Sequence, residues 1–466
     1  MTGSASALLN STMLGMQLVQ RGLSMTSSNI TSATVEGYRR QKVEVFLDGD
    51  SRDAVLRRSY DEFLSREVGE LTSSASESSR HKTLTDQLQA LVADPATSIG
   101  KSVDSFFAAS NDLASQPHSI ASRTAFLQEA DNVAARIRTA ADRMDFYAEQ
   151  GFESLKDNVS KINELAKSIA DINIKIRSNE NTPGMDPPNM ALDERERLVK
   201  ELSGLVGTKS LTSKDGTFSV IIGKGQTLVQ GPFANQLEIS GDHQAPVIRV
   251  TPPARSAPGT LGPDITATMT GGAMGANLKF LQNDIPENLD VLDGLASGLS
   301  SGVNNVMTSG YDLQGARGKP LFEISVTSHP ASSIKLALKD PAQVAAAAST
   351  DTDGKPAAGD NGAIASLLDL QDSRFIKISG NPDMTPAEAY SYMASRLANA
   401  ASIASIDSAS RDQLLADATG RLMQSSGVNL DEEAANLMLY QQTYKAVAQL
   451  IPAMNAIFDT LLQAVR

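Results

Sequence analysis

Ser426–Arg466 reads SGVNLDEEAANLMLYQQTYKAVAQLIPAMNAIFDTLLQAVR, and beyond Glu433 its only charges are Lys445, Asp459 and Arg466. Leu437, Tyr440, Tyr444, Val447, Ile451, Met454, Phe458, Leu461 and Val465 alternate spacings of three and four. That is the seam of a coiled-coil helix about four heptads long. Leu450 and Ile457 widen the apolar stripe, so the helix is expected to meet more than one neighbour. Pro452 interrupts it, because a proline inside a helix removes one backbone hydrogen bond and tends to kink the axis. The question the stretch raises is what such a helix buries against.

The other end of the chain offers the answer. Residues 1–35 carry one charged side chain, Arg21, and place Leu9, Met13, Met16, Leu23 and Ile30 on a second seam, with Gln20 and Ser27 in the gaps. Two charge-poor helices at opposite ends of one sequence are each other's most economical partners and should run side by side. Either they complete the core of one globular domain, or they form a coiled-coil module that is loose in the monomer and ordered on assembly.

Between these ends the pattern changes several times. Residues 36–72 alternate charge with Val, Phe, Leu and Tyr, which predicts extended, hairpin-like connections. Helical periodicity returns over 73–207, where Ile162, Leu165, Ile169, Ile172 and Ile176 form a stripe, and again over 272–310 and 385–434. Thr385, Pro386 and Glu388 fit a capping box with proline at the first helical position. Residues 208–271 read as a β-rich insertion punctuated by Asp-Gly, Gly-Lys-Gly and Pro-Pro, and 311–384 as a second, mixed β-containing insertion. The expected architecture is mainly α with β-rich insertions: an elongated rod of terminal coiled-coil helices (1–35 with 435–466), the 36–72 connection, a helical bundle domain, and the two insertions on its flank.

The 466-residue chain is 41% hydrophobic and 20% charged, enough for several domains. Its 41 basic against 54 acidic side chains leave a net charge of −13, which argues against nucleic acid or an anionic membrane as partner. No cysteine exists to supply a thiolate or a disulfide. Neither a cleavable signal nor an apolar run of about 18 residues is evident, so on these grounds alone a soluble cytoplasmic protein is expected. Chemistry is hard to find. His81, His118, His243 and His329 lack a second ligand at metal-binding spacing. Gly298-Leu299-Ser300-Ser301-Gly302 matches a nucleophile elbow formally, but lies in a helical pattern rather than at a strand-to-helix turn. The turn at Gly223 lacks a phosphate loop's spacing, and Asp351, Asp353 and Asp360 miss the remaining ligands of a calcium loop. No catalytic, metal or cofactor residue is assigned.

Three stretches carry a resemblance instead. SSNITSATVEGYRRQ places Asn29-Ile30 ahead of Gly37-Tyr38 and Arg40-Gln41; TGGAMGANLKFLQNDIPENLDVLDGLASGLSSGVNNVMTSGYDLQGARGKPLF occupies mid-chain; and the closing segment quoted above completes the set. Together these resemble the bacterial flagellar axial proteins, most closely those of the hook–filament junction. Thr34-Val35-Glu36 stands where the family usually has Asn-Thr-Pro, and Pro452 replaces a more helix-friendly residue. The resemblance implies a non-enzymatic structural subunit whose terminal helices line an axial channel while its insertions face outward. It also implies export through the flagellar channel without a cleaved signal peptide. Its partners would then be copies of itself, the hook protein, hook-associated protein 3 and a cytoplasmic export chaperone on the C-terminal helix. Another axial protein, such as the hook protein or the second hook-associated protein, is an alternative. A secreted enzyme or carbohydrate-binding module built on the β insertions is a further one.

Overall fold

The computed structural model describes residues 2–48, 51–93, 98–180, 188–213, 217–252, 262–325, 329–351, 353–356 and 359–464. Helix α1 (Thr2–Ser32) leads into a hairpin of β1 (Gln41–Asp48) and β2 (Ser51–Arg58), then α2 (Glu62–Ala93), α3 (Ile99–Ser115), α4 (Ile120–Glu180) and α5 (Asn189–Leu205). Strands β3 (Thr208–Thr212), β4 (Phe218–Ile222), β5 (Gln226–Gln230) and β6 (Phe233–Ala234) form an antiparallel sheet in sequence order. A separate hairpin follows from β7 (Gln236–Ser240) and β8 (Val247–Thr251). Helices α6 (Gly272–Lys279) and α7 (Ile285–Ser309) are joined by one π-helical turn, Phe280–Asp284. Then come β9 (Phe322–Glu323), α8 (Pro330–Ser333), β10 (Lys335–Leu336), α9 (Gly362–Leu368), α10 (Pro386–Ser426) and α11 (Leu430–Ala464). The fold is mainly α with several small sheets.

The spine is α4, whose 61 residues span about 90 Å at 1.5 Å per residue. Its buried side chains, among them Phe126, Ile137, Met144, Leu155, Ile162 and Ile169, recur at helical spacing and form one continuous core with α3, α7 and the inner faces of the small sheets. The β elements are pinned to helices by side-chain amides acting as strand surrogates. Asn163 donates to the Leu237 carbonyl (2.9 Å) and accepts from its N–H (2.7 Å). Asn304 does the same for the β9 edge, accepting from Leu321 and Phe322 N–H and donating to the Phe322 carbonyl. Each amide satisfies backbone groups that a short edge would otherwise bury unpaired.

Two stretches differ from the expectation. Residues 62–72 are helical rather than extended, because Asp61 accepts from the Leu64 N–H (3.0 Å) and starts α2. Over 311–384 the described strands are only two residues long. Acidic side chains there take up backbone N–H groups that a ladder would use. Asp312 accepts from Gln314 and Ala316, Asp351 from Asp353 and Lys355, and Asp360 from Ala348, Ser349 and Gly362. Elsewhere local signals hold: Thr385 and Glu388 form the reciprocal capping box with Pro386 in the first turn. Helix α11 continues through Pro452.

The Gly-x-Ser-x-Gly stretch lies inside α7. Gly294, Gly298 and Gly302 form a groove four residues apart, into which Phe375–Ile378 presses: a Cβ at Gly294 would lie 2.4 Å from the Lys377 carbonyl oxygen. Ser300 is buried and accepts from the Asn304 amide at 3.3 Å. These glycines serve close packing. Gly294→Ala should therefore destabilise the body by about 1–3 kcal/mol despite the better helix propensity of alanine; urea unfolding followed by circular dichroism measures it, and an unchanged midpoint would refute the packing role.

Candidate assembly site

Among the described residues no grouping of His, Asp and Glu could hold a metal. The histidines pair with carboxylates or backbone instead: His81 with Asp284, His243 with Asp145 and Glu149, His329 with Asp293, and His118 with the Gly359 N–H. A dense polar cluster lies where α1 and α11 meet the body.

Helices α1 and α11 pack side by side, and the packing is close. A Cβ at Gly22 would lie 2.6 Å from Cε1 of Tyr440, so the phenol ring occupies the space a side chain would need. On α1 the buried line runs Val19, Gly22, Thr26 and Asn29, with Met25 beside it. Of the apolar residues singled out from spacing, Met16, Leu23 and Ile30 lie one residue round and are half-buried, and Met13 is exposed. The closest approach uses small and polar residues, which a search for large apolar ones passes over. On α11 the half-buried face holds Leu437, Tyr440, Tyr444, Val447 and Ile451. Leu9, Met454, Phe458 and Leu461 lie on described helix whose side chains are not described there, and Val465 lies outside the described residues.

The motif residues converge at the base of this pair. Asn29 is fully buried and uses all four of its amide hydrogen bonds. Its Oδ1 accepts from Gln41 N–H (3.0 Å) and Tyr38 Oη (2.8 Å), and its Nδ2 donates to the Gln41 carbonyl (3.0 Å) and to Oε2 of Glu433 (3.1 Å). The other Glu433 oxygen accepts from Arg40 Nε at 2.7 Å, while Arg40 also donates to Glu432 at 2.6 Å. The Arg40 N–H donates to the last carbonyl of α10, Ser426, and its own carbonyl accepts from Ser59. Gly37 makes the reversal between α1 and β1 possible, with φ at +86°. Burial raises the Tyr38 phenol above its ordinary value.

A second tier seats the hairpin on α5. Arg39 bonds Glu196, and Arg58 bonds both Asp193 (3.0 Å) and Glu196 (2.9 Å). Burial raises Asp193 above its usual range despite Arg58. Burial pushes Glu196 the same way, but the hydrogen bonds and charges of Arg39 and Arg58 together hold it below its usual value. Glu432, Glu433, Ser426, Arg39, Arg58, Asp193 and Glu196 were not singled out from the sequence. The only signal was the pair of glutamates standing last before an almost uncharged helix.

The fold and this cluster define the class of protein by its architecture: one whose paired terminal helices are latched to a helical body. Comparison gives the family. The chain belongs to the flagellar hook-associated proteins: the family model described as "Flagellar hook-associated protein FlgK helical domain" matches residues 85–322, just over half of its length. A second model, "Flagellar basal body rod FlgEFG protein C-terminal", matches residues 419–464. The chain is 26% identical to flagellar hook-associated protein 1 of Salmonella typhimurium and 24% identical to that of Escherichia coli, covering 98% of this chain and 99% of the relative in both cases. In fold it is similar to the flagellar hook junction protein FlgK from Burkholderia pseudomallei, with a TM-score of 0.69 and 18% identity over 76% of this chain and 99% of that one.

Removing the Glu433 carboxylate by Glu433→Ala leaves the buried Asn29 donor and the half-buried Arg40 Nε without it, which should cost the terminal pair up to about 3 kcal/mol. Hydrogen exchange in α1 and α11 reads this loss, and full protection in the variant would contradict it. Acid acts on the second tier. The contribution of Glu196 is fully present above its unfolded value of 4.5 and is lost as pH falls through its lower folded value. Asp193, shifted upward, works in the opposite sense. Glu196→Gln should therefore flatten the loss of stability between about pH 6 and pH 3, and Asp193→Asn should steepen it; denaturation across that range distinguishes the two.

Proposed function

We infer that this chain is a structural, non-enzymatic subunit of the bacterial flagellum that polymerises at the hook–filament junction through its N- and C-terminal helices. One observation carries the reading. The α1–α11 pair closes its inner face around Gly22 and Tyr440, yet leaves large apolar side chains outward: Met438 is 60% exposed and Leu439 58%, with Met13 and Leu450 also exposed. Such a surface on a paired helix gains by association, at about 25 cal/mol per Å² of apolar area removed from water. Identical subunits stacking through heterologous contacts that do not close produce a helical array.

The partners that follow are other copies of the chain, the hook protein on one side and hook-associated protein 3 on the other. Before export a cytoplasmic chaperone would cover the C-terminal helix. Passage through the flagellar channel without a cleaved signal peptide suits a chain with no cysteine to cross-link in transit. Helix α10 adds a second outward apolar line: Ile403 and Ile406 are 67% and 69% exposed, whereas the buried residues beside them are the small Ala401, Ala404 and Ser408, with the larger Met393, Leu397 and Leu422 buried only nearer its two ends. Over this middle stretch large residues lie outside and small ones inside, the reverse of the usual order of a surface helix, which favours a covered face in the assembled state.

Leu439→Asp changes a residue that the monomer leaves in water, so its stability should shift by no more than about 0.5 kcal/mol. Incorporation into the junction should nevertheless be abolished, as scored by filament attachment and motility in cells lacking the natural subunit. Normal junctions built from a stably folded Leu439→Asp protein would sink the reading.

A further inference from the structure

We propose that Glu433 is a positioning residue that sets the axial register of the terminal helix pair, so that the latch indexes α11 against α1 as well as holding it. The apolar seam of α11 repeats so regularly that a slide by one heptad replaces like with like. Some other feature has to choose between the two positions.

Two independent contacts report the register. Gly22 faces Tyr440 and Asn29 faces Glu433; the residue numbers of each pair total 462, and the pairs lie one heptad apart on both helices. The helices are therefore antiparallel. The socket at Gly22 does not by itself exclude a slide. Gly15 stands one heptad earlier on α1, and a Cβ there would meet nothing within 4 Å. Displaced by about 10 Å, the length of seven helical residues, Tyr440 would find a second open glycine. The polar contacts are different in kind. The same slide carries the Glu433 carboxylate opposite Gly22 and away from Asn29 and Arg40, leaving a buried amide donor and a guanidinium N–H without it. One buried polar pairing with a fixed address can index an otherwise repetitive apolar seam. Register matters because it sets the height at which the outward residues Met438, Leu439 and Leu450 stand relative to the body.

The absence of cysteine from the chain makes disulfide mapping clean. In the observed register position 26 faces 436; after a slide of one heptad position 19 faces 436. Thr26→Cys is a mild change, since the Thr26 hydroxyl is buried without a hydrogen-bond partner. The full-length protein carrying either Thr26→Cys with Asn436→Cys or Val19→Cys with Asn436→Cys is equilibrated in a glutathione redox buffer, and the disulfide is quantified by mass spectrometry. With Glu433 present, 26/436 should form and 19/436 should stay reduced. Adding Glu433→Leu, which suits the seam in either register, should raise 19/436 at least about tenfold, whereas Glu433→Asp should keep the native pair. If Glu433→Leu yields only 26/436, the seam itself sets the register and the proposal fails. It also fails if Glu433→Leu yields neither disulfide, because the latch would then hold the helices together without indexing them. The assay reads the register in the monomer, so its outcome is independent of whether the subunit occupies the hook–filament junction.

Discussion

One carboxylate connects the parts of this molecule. Glu433 is buried at the first turn of α11, where it receives a hydrogen bond from Asn29 near the end of α1 and one from Arg40 in the connection that follows. A buried charge of this kind is tolerated only when its partners are complete and well placed. Completing them requires the reversal at Gly37, the bidentate contact of Asn29 with Gln41, and the capture of the α10 terminus through the Arg40 N–H. The inner ends of both terminal helices and the start of the body are thereby gathered at one point.

From that point outward the molecule changes character. The body is ordered by burial: α4 supplies an unbroken line of large apolar residues, and α3, α7 and the sheets close over it. Among its described side chains the terminal pair has a shorter core, the line of Val19, Met25, Thr26 and Asn29 on α1. It meets a ring against a glycine and the half-buried side chains of α11, while Met13, Met438, Leu439 and Leu450 stay in water. Helices of this sort draw their stability from what they dock against. A subunit for a polymer gains from that arrangement, since a firm body can be combined with a terminal module that completes its burial among neighbours.

Ionic chemistry is used here to hold geometry. Arg39, Arg58, Asp193 and Glu196 seat the hairpin on α5, and Arg123 is buried among the carbonyls of Pro117, Pro341 and Val344, joining the second insertion to α4. Burial lowers the Arg123 guanidinium below its usual range. The Gly-x-Ser-x-Gly pattern of a nucleophile elbow resolves likewise into a helix groove that accepts a neighbouring segment.

The sequence by itself determined most of the long helices, though not the first turns of α2, and the pairing of the two terminal ones, because periodicity and charge depletion are local properties that survive without any knowledge of neighbours. The capping box at Thr385 was legible for the same reason, whereas the motif around Asn29 and Gly37 was legible only through its resemblance to a family. Tertiary structure alone decided which face of α1 lies inward, since the closest approach depends on Gly22 being small where Tyr440 is large, and neither residue signals this in isolation. It also decided that Glu433, 404 residues from Asn29, would be the buried acid, and that the acids of 311–384 would cap turns in place of a sheet. Partners that meet only after the chain has folded leave no periodic trace, and a buried charge becomes recognisable once the groups that neutralise it have been brought into contact.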